Sequence, residues 1–169
     1  ENATLFGSIL ARKAELDPSN RVDVFAFAST FEKVDTYGMS TFALMKHFES
    51  IYRSNRIGHG TNGDLFLNHV AQKGGYDHVF LMTDMQFNSI SGTGYYQRNS
   101  GVDNKAVIGG IKGTIYCFNL QGYRVTLSPH ARWSNVKEIA GFSVKILQYI
   151  ELSHDPQGLI NYIESYNKV

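Results

Sequence analysis

The sequence predicts an α/β domain in which an open, mostly parallel sheet is doubly wound, with helices on both faces. Three observations carry that expectation. Helical periodicity and short apolar runs alternate along the chain without a repeat or a low-complexity tract. The run His78-Val79-Phe80-Leu81-Met82 closes on the polar pair Thr83-Asp84, as a strand buried on both faces does. Finally, 169 residues of which 43% are hydrophobic and 18% charged make one domain with a sizeable core, and two domains would be a stretch.

Residues 3 to 16 place Leu5, Phe6, Ile9, Leu10 and Leu16 at helical spacing, and the turn Asp17-Pro18-Ser19-Asn20 ends that helix. Residues 21 to 28 are β-branched and aromatic and read as a strand covered on both faces, closed by Ser29 and Thr30. Phe31 to Tyr37 interleaves Glu32, Lys33 and Asp35 with Phe31 and Val34, the pattern of a short edge strand. From Thr41 to Tyr52, apolar residues recur at three- and four-residue steps behind a Ser40 or Thr41 cap, which predicts a second helix with Phe42 and Tyr52 in its apolar stripe. The loop Gly58-His59-Gly60-Thr61-Asn62-Gly63 then opens a helix over residues 64 to 71.

Beyond the strand at 78 to 84, residues 88 to 104 are polar and glycine-rich and read as a long exposed loop. A strand is expected at Thr114 to Asn119, a helix near Asn135 to Ala140, a strand at Val144 to Ile150, and a last helix from Asp155 to Asn167, where Pro156 suits the first turn. The aromatic residues Phe142, Tyr149, Tyr162 and Tyr166 are expected to pack in the core.

Sixteen Lys and Arg against fifteen Asp and Glu leave a formal charge of +1, too little to gather nucleic acid by a long-range field. The single cysteine, Cys117, sits in an apolar run and reads as a buried, inert thiol of a reducing, cytoplasmic compartment. No apolar stretch has the length to span a bilayer, no signal peptide is evident, and no membrane association is expected. The first residue is Glu1 rather than Met and the chain is helical in pattern from its start, so the expectation is that something upstream has been left out.

The two strongest polar signals are Thr61, in the glycine-rich loop before a helix, and Asp84, at the end of a buried strand. In a doubly wound sheet both converge on the carboxyl edge, where such folds bind ligands. These residues, with Val24-Phe25-Ala26-Phe27-Ala28 and Ile115-Tyr116-Cys117-Phe118-Asn119, resemble the von Willebrand factor A superfamily, and within it the Ro/TROVE ribonucleoproteins. The resemblance runs from about Ala3 to the C-terminus and implies a metal-ion-dependent adhesion site. In that family an Asp-x-Ser-x-Ser loop, a threonine loop and a Thr-Asp strand end supply oxygen ligands to Mg²⁺ or another divalent cation. It assigns Thr61 and Asp84 as metal ligands, with Gly60, Asn62 and Thr83 beside the ligand.

The Asp-x-Ser-x-Ser element is absent, because Ser8, Asp17 and Ser19 lie within or after the first helix rather than before it. Family topology puts the strand bearing that motif between the strands of residues 22 to 28 and 78 to 84, so the first central strand is missing here. A strand from upstream of Glu1 is therefore expected to complete the sheet, since unpaired backbone in a buried sheet is costly.

The resemblance implies a non-catalytic binding module of a larger protein that holds small non-coding RNA through another, helical-repeat domain. Tyr95, Tyr96 and Arg98 are candidates for stacking on single-stranded RNA, with Arg53, Arg56 and Lys73 for phosphate contact; a solvated loop with ordinary surface charge is the competing explanation. Likewise Asp84 could cap a turn, and Thr61 or Asn62 a helix. An alternative function is a structural or protein-interaction domain of an assembly, with a degenerate metal site. A metal-dependent hydrolase using Asp84 is a third reading, but no base or nucleophile pairs with it. The six histidines lack zinc-ligand spacing, and no nucleophile elbow or phosphate-binding loop is present.

Overall fold

The computed structural model describes residues 2–83, 108–119, 134–141, 145–146, 148–149 and 156–166. Over them the order is α1 (Asn2–Glu15), β1 (Val24–Phe27), β2 (Phe31–Val34), α2 (Thr41–Arg53), α3 (Gly63–Lys73), β3 (His78–Thr83), β4 (Thr114–Asn119), β5 (Val136–Ala140) and α4 (Pro156–Tyr166). The protein is mixed α/β, with a three-stranded parallel sheet ordered β3-β4-β5 and a separate hairpin of β1 and β2.

Both faces of β4 are covered, because successive side chains of a strand point to opposite sides. Ile115 and Cys117 join Phe66, Leu67 and Val70 of α3 in one core cluster. Tyr116 and Phe118 join Phe6 of α1 in another, with the Phe6 and Phe118 rings edge to face at 5.2 Å. These four central β4 residues are sealed from solvent. Burial pushes the Cys117 thiol up to about 12, helped by the charge of Glu138, so it stays protonated and inert as expected.

Two elements differ from the sequence reading. Residues 136 to 140, expected as helix, form β5, paired in parallel with β4 from Ile115 opposite Val136 to Asn119 opposite Ala140. The three-residue step from Val136 to Ile139 mimics a helical stripe, but on a strand it sends one side chain to each face. Val136 packs on the α3 cluster and Ile139 on the α1 cluster. Tertiary pairing to a buried neighbour outweighs the local pattern. Conversely, residues 145, 146, 148 and 149, expected as strand, are helical. Gly141, at φ 86°, turns the chain out of β5, and Ile146 faces the Phe118 cluster while Tyr149 is 42% exposed. Tyr149 is thus not a core residue; the other members of that expected aromatic set, Phe142 and the side chains of Tyr162 and Tyr166, lie outside the described residues.

The hairpin accounts for the early elements. Val24 lies opposite Val34 and Phe27 opposite Phe31, antiparallel, so residues 31 to 34 form the expected edge strand. Phe25 and Phe27 pack on the α3 cluster, and Val24 and Ala26 on a third cluster with Ala11 of α1 and Leu44 and Ile51 of α2. The hairpin therefore has both faces covered, as expected of a strand at residues 21 to 28, although its partner runs antiparallel. Ser40 caps α2, its hydroxyl accepting the Ala43 N–H at 3.2 Å. The stripe of α2 is narrower than its periodicity suggests, for Phe42 and Tyr52 are 69% and 61% exposed.

An acidic knot joins the two sheets. Asp23, just before β1, is ion-paired with Lys33 of β2 and Lys73 of α3, each at 2.6 Å, and accepts the Tyr76 hydroxyl at 2.8 Å. Its side chain is 5% exposed. The ammonium of Lys33, then that of Lys73, hold the carboxyl well below the usual carboxylate range. A depressed folded-state value stabilises the fold fully above the unfolded pKa of about 4, and the contribution is lost as pH falls below it toward the folded value. Asp23→Asn is expected to cost about 1–3 kcal/mol at neutral pH, toward the lower end because both lysines reach solvent. Urea unfolding below about pH 5 should show a shallower acid decline in the variant; an unchanged decline would remove Asp23 from this role.

Candidate metal centre at the carboxyl rim

The contacts of Asp23 set the directions of the strands. Lys73 ends α3, Tyr76 precedes β3 and Asp23 precedes β1, so the starts of β1 and β3 share one rim with the end of α3. At its other end α3 begins beside the carboxyl end of β1, because the loop before it is tied there. The Asn62 N–H donates to Ala28 O at 2.7 Å and the Thr30 N–H to Ile57 O at 3.1 Å. The Gly60 N–H donates to Ser29 Oγ at 2.8 Å, and Asn62 Nδ2 to Ser29 O at 3.0 Å. α3 thus runs back against β1, and β3 returns alongside it to end on Thr83.

Gly60, Thr61 and Asn62 accordingly stand at the carboxyl end of β1, and Thr83 at the carboxyl end of β3. Thr83 is 6% exposed and is paired in register with Asn119 of β4. The structure brings the Thr61 loop to Ser29 and Thr30; no direct bond between Thr61 and Thr83 occurs among the described residues. Asp84 lies outside the described residues, as do Tyr95, Tyr96 and Arg98.

Asn62 occupies the N-cap position of α3 but makes no side-chain cap bond. Its carboxamide goes to Ser29 instead, so capping does not explain the residue. Gly58 explains the glycine-rich character of the loop: its φ is +74°, and a Cβ there would lie 2.6 Å from Ser29 Oγ. Sequence reasoning missed Ser29, which looked like the end of a strand; its partners are 31 and 33 residues away, beyond the reach of any local pattern.

The other serines and acids weighed for an Asp-x-Ser-x-Ser role are engaged locally. Ser8 is buried in α1 and donates to Thr4 O at 2.7 Å. Asp17 accepts the hydroxyl and backbone N–H of Ser19, at 2.7 and 2.9 Å, and those bonds lower its pKa. Of the basic residues considered for phosphate contact, Arg56 pairs with Glu32 at 3.1 Å and Lys73 with Asp23, while Arg53 is exposed.

In kind, the described rim suits a hard cation. At the carboxyl end of β1 the hydroxyls of Ser29, Thr30 and Thr61 and the carboxamide of Asn62, and at the ends of β3 and β4 the hydroxyl of Thr83 and the carboxamide of Asn119, offer oxygen of the type Mg²⁺ accepts. No cluster of three His, Cys, Asp or Glu side chains occurs among the described residues. Nor is any described helix long and apolar enough to cross a membrane.

No family model, curated protein or solved structure matches this chain significantly.

Proposed function

We propose that this chain is a non-catalytic binding module of the von Willebrand factor A type, holding a divalent cation at the carboxyl rim within a Ro/TROVE-like ribonucleoprotein. The observation that carries the reading is the junction of the Thr61 loop with the carboxyl end of β1. On this reading Thr61 and Asp84 supply oxygen to the cation, with Gly60, Asn62 and Thr83 shaping the place where ligand meets it. When bound, the cation supplies positive charge and open coordination positions for a carboxylate or another oxygen of a partner.

The sheet arrangement supports the finer fold. Among the described residues β1 and β3 are not paired with each other, yet α1 and α3 touch the strands on both sides of the division. A doubly wound sheet with its central strand absent has this arrangement. A strand carrying the Asp-x-Ser-x-Ser motif between β1 and β3 would pair with both and complete the ligand set.

A second reading, a protein-interaction or structural domain with a degenerate metal site, is favoured by one specific feature. Leu16 and Tyr37 are 80% and 93% exposed and flank the hydrogen bond from Thr36 to Glu15, and Phe42 is exposed at the start of α2. Exposed apolar side chains on adjoining segments, as Leu16 and Tyr37 are, mark protein contacts more often than scattered single ones do.

Mg²⁺ separates the two. A cation that binds only the folded state at 100 times its dissociation constant adds about 2.7 kcal/mol, so the melting temperature of the full-length protein is expected to rise with Mg²⁺ concentration. No rise would favour the degenerate site. In the same preparations, small non-coding RNA is expected to be retained on a filter by the full-length protein, through its other domain, and only weakly by this chain; strong, salt-sensitive retention by this chain would overturn that division.

A further inference from the structure

We infer that Ser29 is a positioning residue of the cation site: its hydroxyl fixes the backbone on one side of Thr61 and thereby sets the threonine's affinity for metal. The inference rests on the cation reading of this same rim.

Both chain neighbours of Thr61 are bonded to one residue. Gly60 gives its N–H to Ser29 Oγ, and Asn62 gives its side-chain amide to Ser29 O. Thr61 itself makes no hydrogen bond among the described residues, so its place follows from theirs. Two further bonds, Asn62 N–H to Ala28 O and Thr30 N–H to Ile57 O, are backbone to backbone and survive any side-chain change. Of the four ties, the one to Ser29 Oγ is the one that depends on the identity of residue 29. It can be removed while the rest of the junction stays, and Ser29 is exposed, so its loss leaves no buried cavity.

Partners that orient metal ligands typically alter affinity by 10- to 100-fold when removed. Binding of Mn²⁺, a paramagnetic stand-in for a hard cation, is therefore to be followed by electron paramagnetic resonance in the full-length protein and its Ser29→Ala and Ser29→Thr variants. Amide hydrogen exchange at Gly60 is measured alongside, without metal. The expected result is at least about tenfold weaker Mn²⁺ binding and faster Gly60 exchange in Ser29→Ala, with both restored in Ser29→Thr, which keeps the hydroxyl. Faster Gly60 exchange with unchanged Mn²⁺ affinity overturns the inference and leaves Ser29 a loop tie only. Weak binding in Ser29→Thr as well overturns it too, since the hydroxyl is then not what matters. An unmodified protein that binds no Mn²⁺ overturns the cation reading itself, and with it this role for Ser29, a failure distinct from either result in the variants.

Discussion

Replacing Gly113 with alanine is expected to cost about 3 kcal/mol or more and to shift the urea midpoint of unfolding accordingly. Gly113 precedes β4, and a Cβ on it would lie 2.6 Å from Asp77 O and closer still to Tyr76 O. These are backbone oxygens at the entry to β3, unable to swing aside as a side-chain tip can. Moreover, Asp77 O accepts the Thr114 N–H at 2.9 Å, which opens the parallel pairing of His78 with Thr114. Relieving the clash means parting β3 from β4 where their ladder begins, and the buried Ile115, Cys117 and Leu81 depend on that register. Gly109 is the internal control: nothing lies within 4 Å of a Cβ there, and Gly109→Ala is expected to be close to neutral. Equal midpoints for the two variants would refute the close-approach argument.

The elements that were legible in the sequence share a physical character. β4 carries the apolar run Ile115 to Phe118, buried on both faces, and β3 the run Val79 to Met82, buried on the face of Val79 and Leu81 and half-buried on that of Phe80 and Met82; such runs need no partner to be recognised. α2 and α3 were legible from one-sided periodicity and from the residues that open them. β5 was not, because it is five residues long with Lys137 and Glu138 at its centre, and only pairing with β4 makes it a strand. Phe42 and Tyr52 misled for a related reason: their spacing matches the buried stripe of α2, and whether a helix edge is covered depends on neighbours distant in sequence.

The candidate site divides in the same way. Thr61, Asn62 and Thr83 stood out because polar residues at the boundary of apolar elements are locally unusual. That the Thr61 loop meets β1 was not legible, since the bonds responsible run from residues 60 and 62 to residues 28 and 29 and use mostly backbone atoms. Glycine was the one local trace of this junction. Gly58 is required by a neighbour as well as by a turn, and a glycine count alone does not separate the two demands.

Gly58→Ala tests that junction with the second large effect. At φ +74° an L side chain costs about 1–2 kcal/mol. The new Cβ would also meet Ser29 Oγ at 2.6 Å and Ser29 Cβ at 2.7 Å, an overpacking worth about 1–3 kcal/mol more. The total expected loss is about 2–5 kcal/mol in urea unfolding. The two contributions separate in the background of Ser29→Gly, which removes Oγ and Cβ together. There the clash vanishes while the backbone strain remains, so Gly58→Ala should cost only about 1–2 kcal/mol. The difference between the two backgrounds is the coupling of the loop to the end of β1. Equal costs in both would mean that the loop does not sit against Ser29, and the proposed cation site would lose its main structural support.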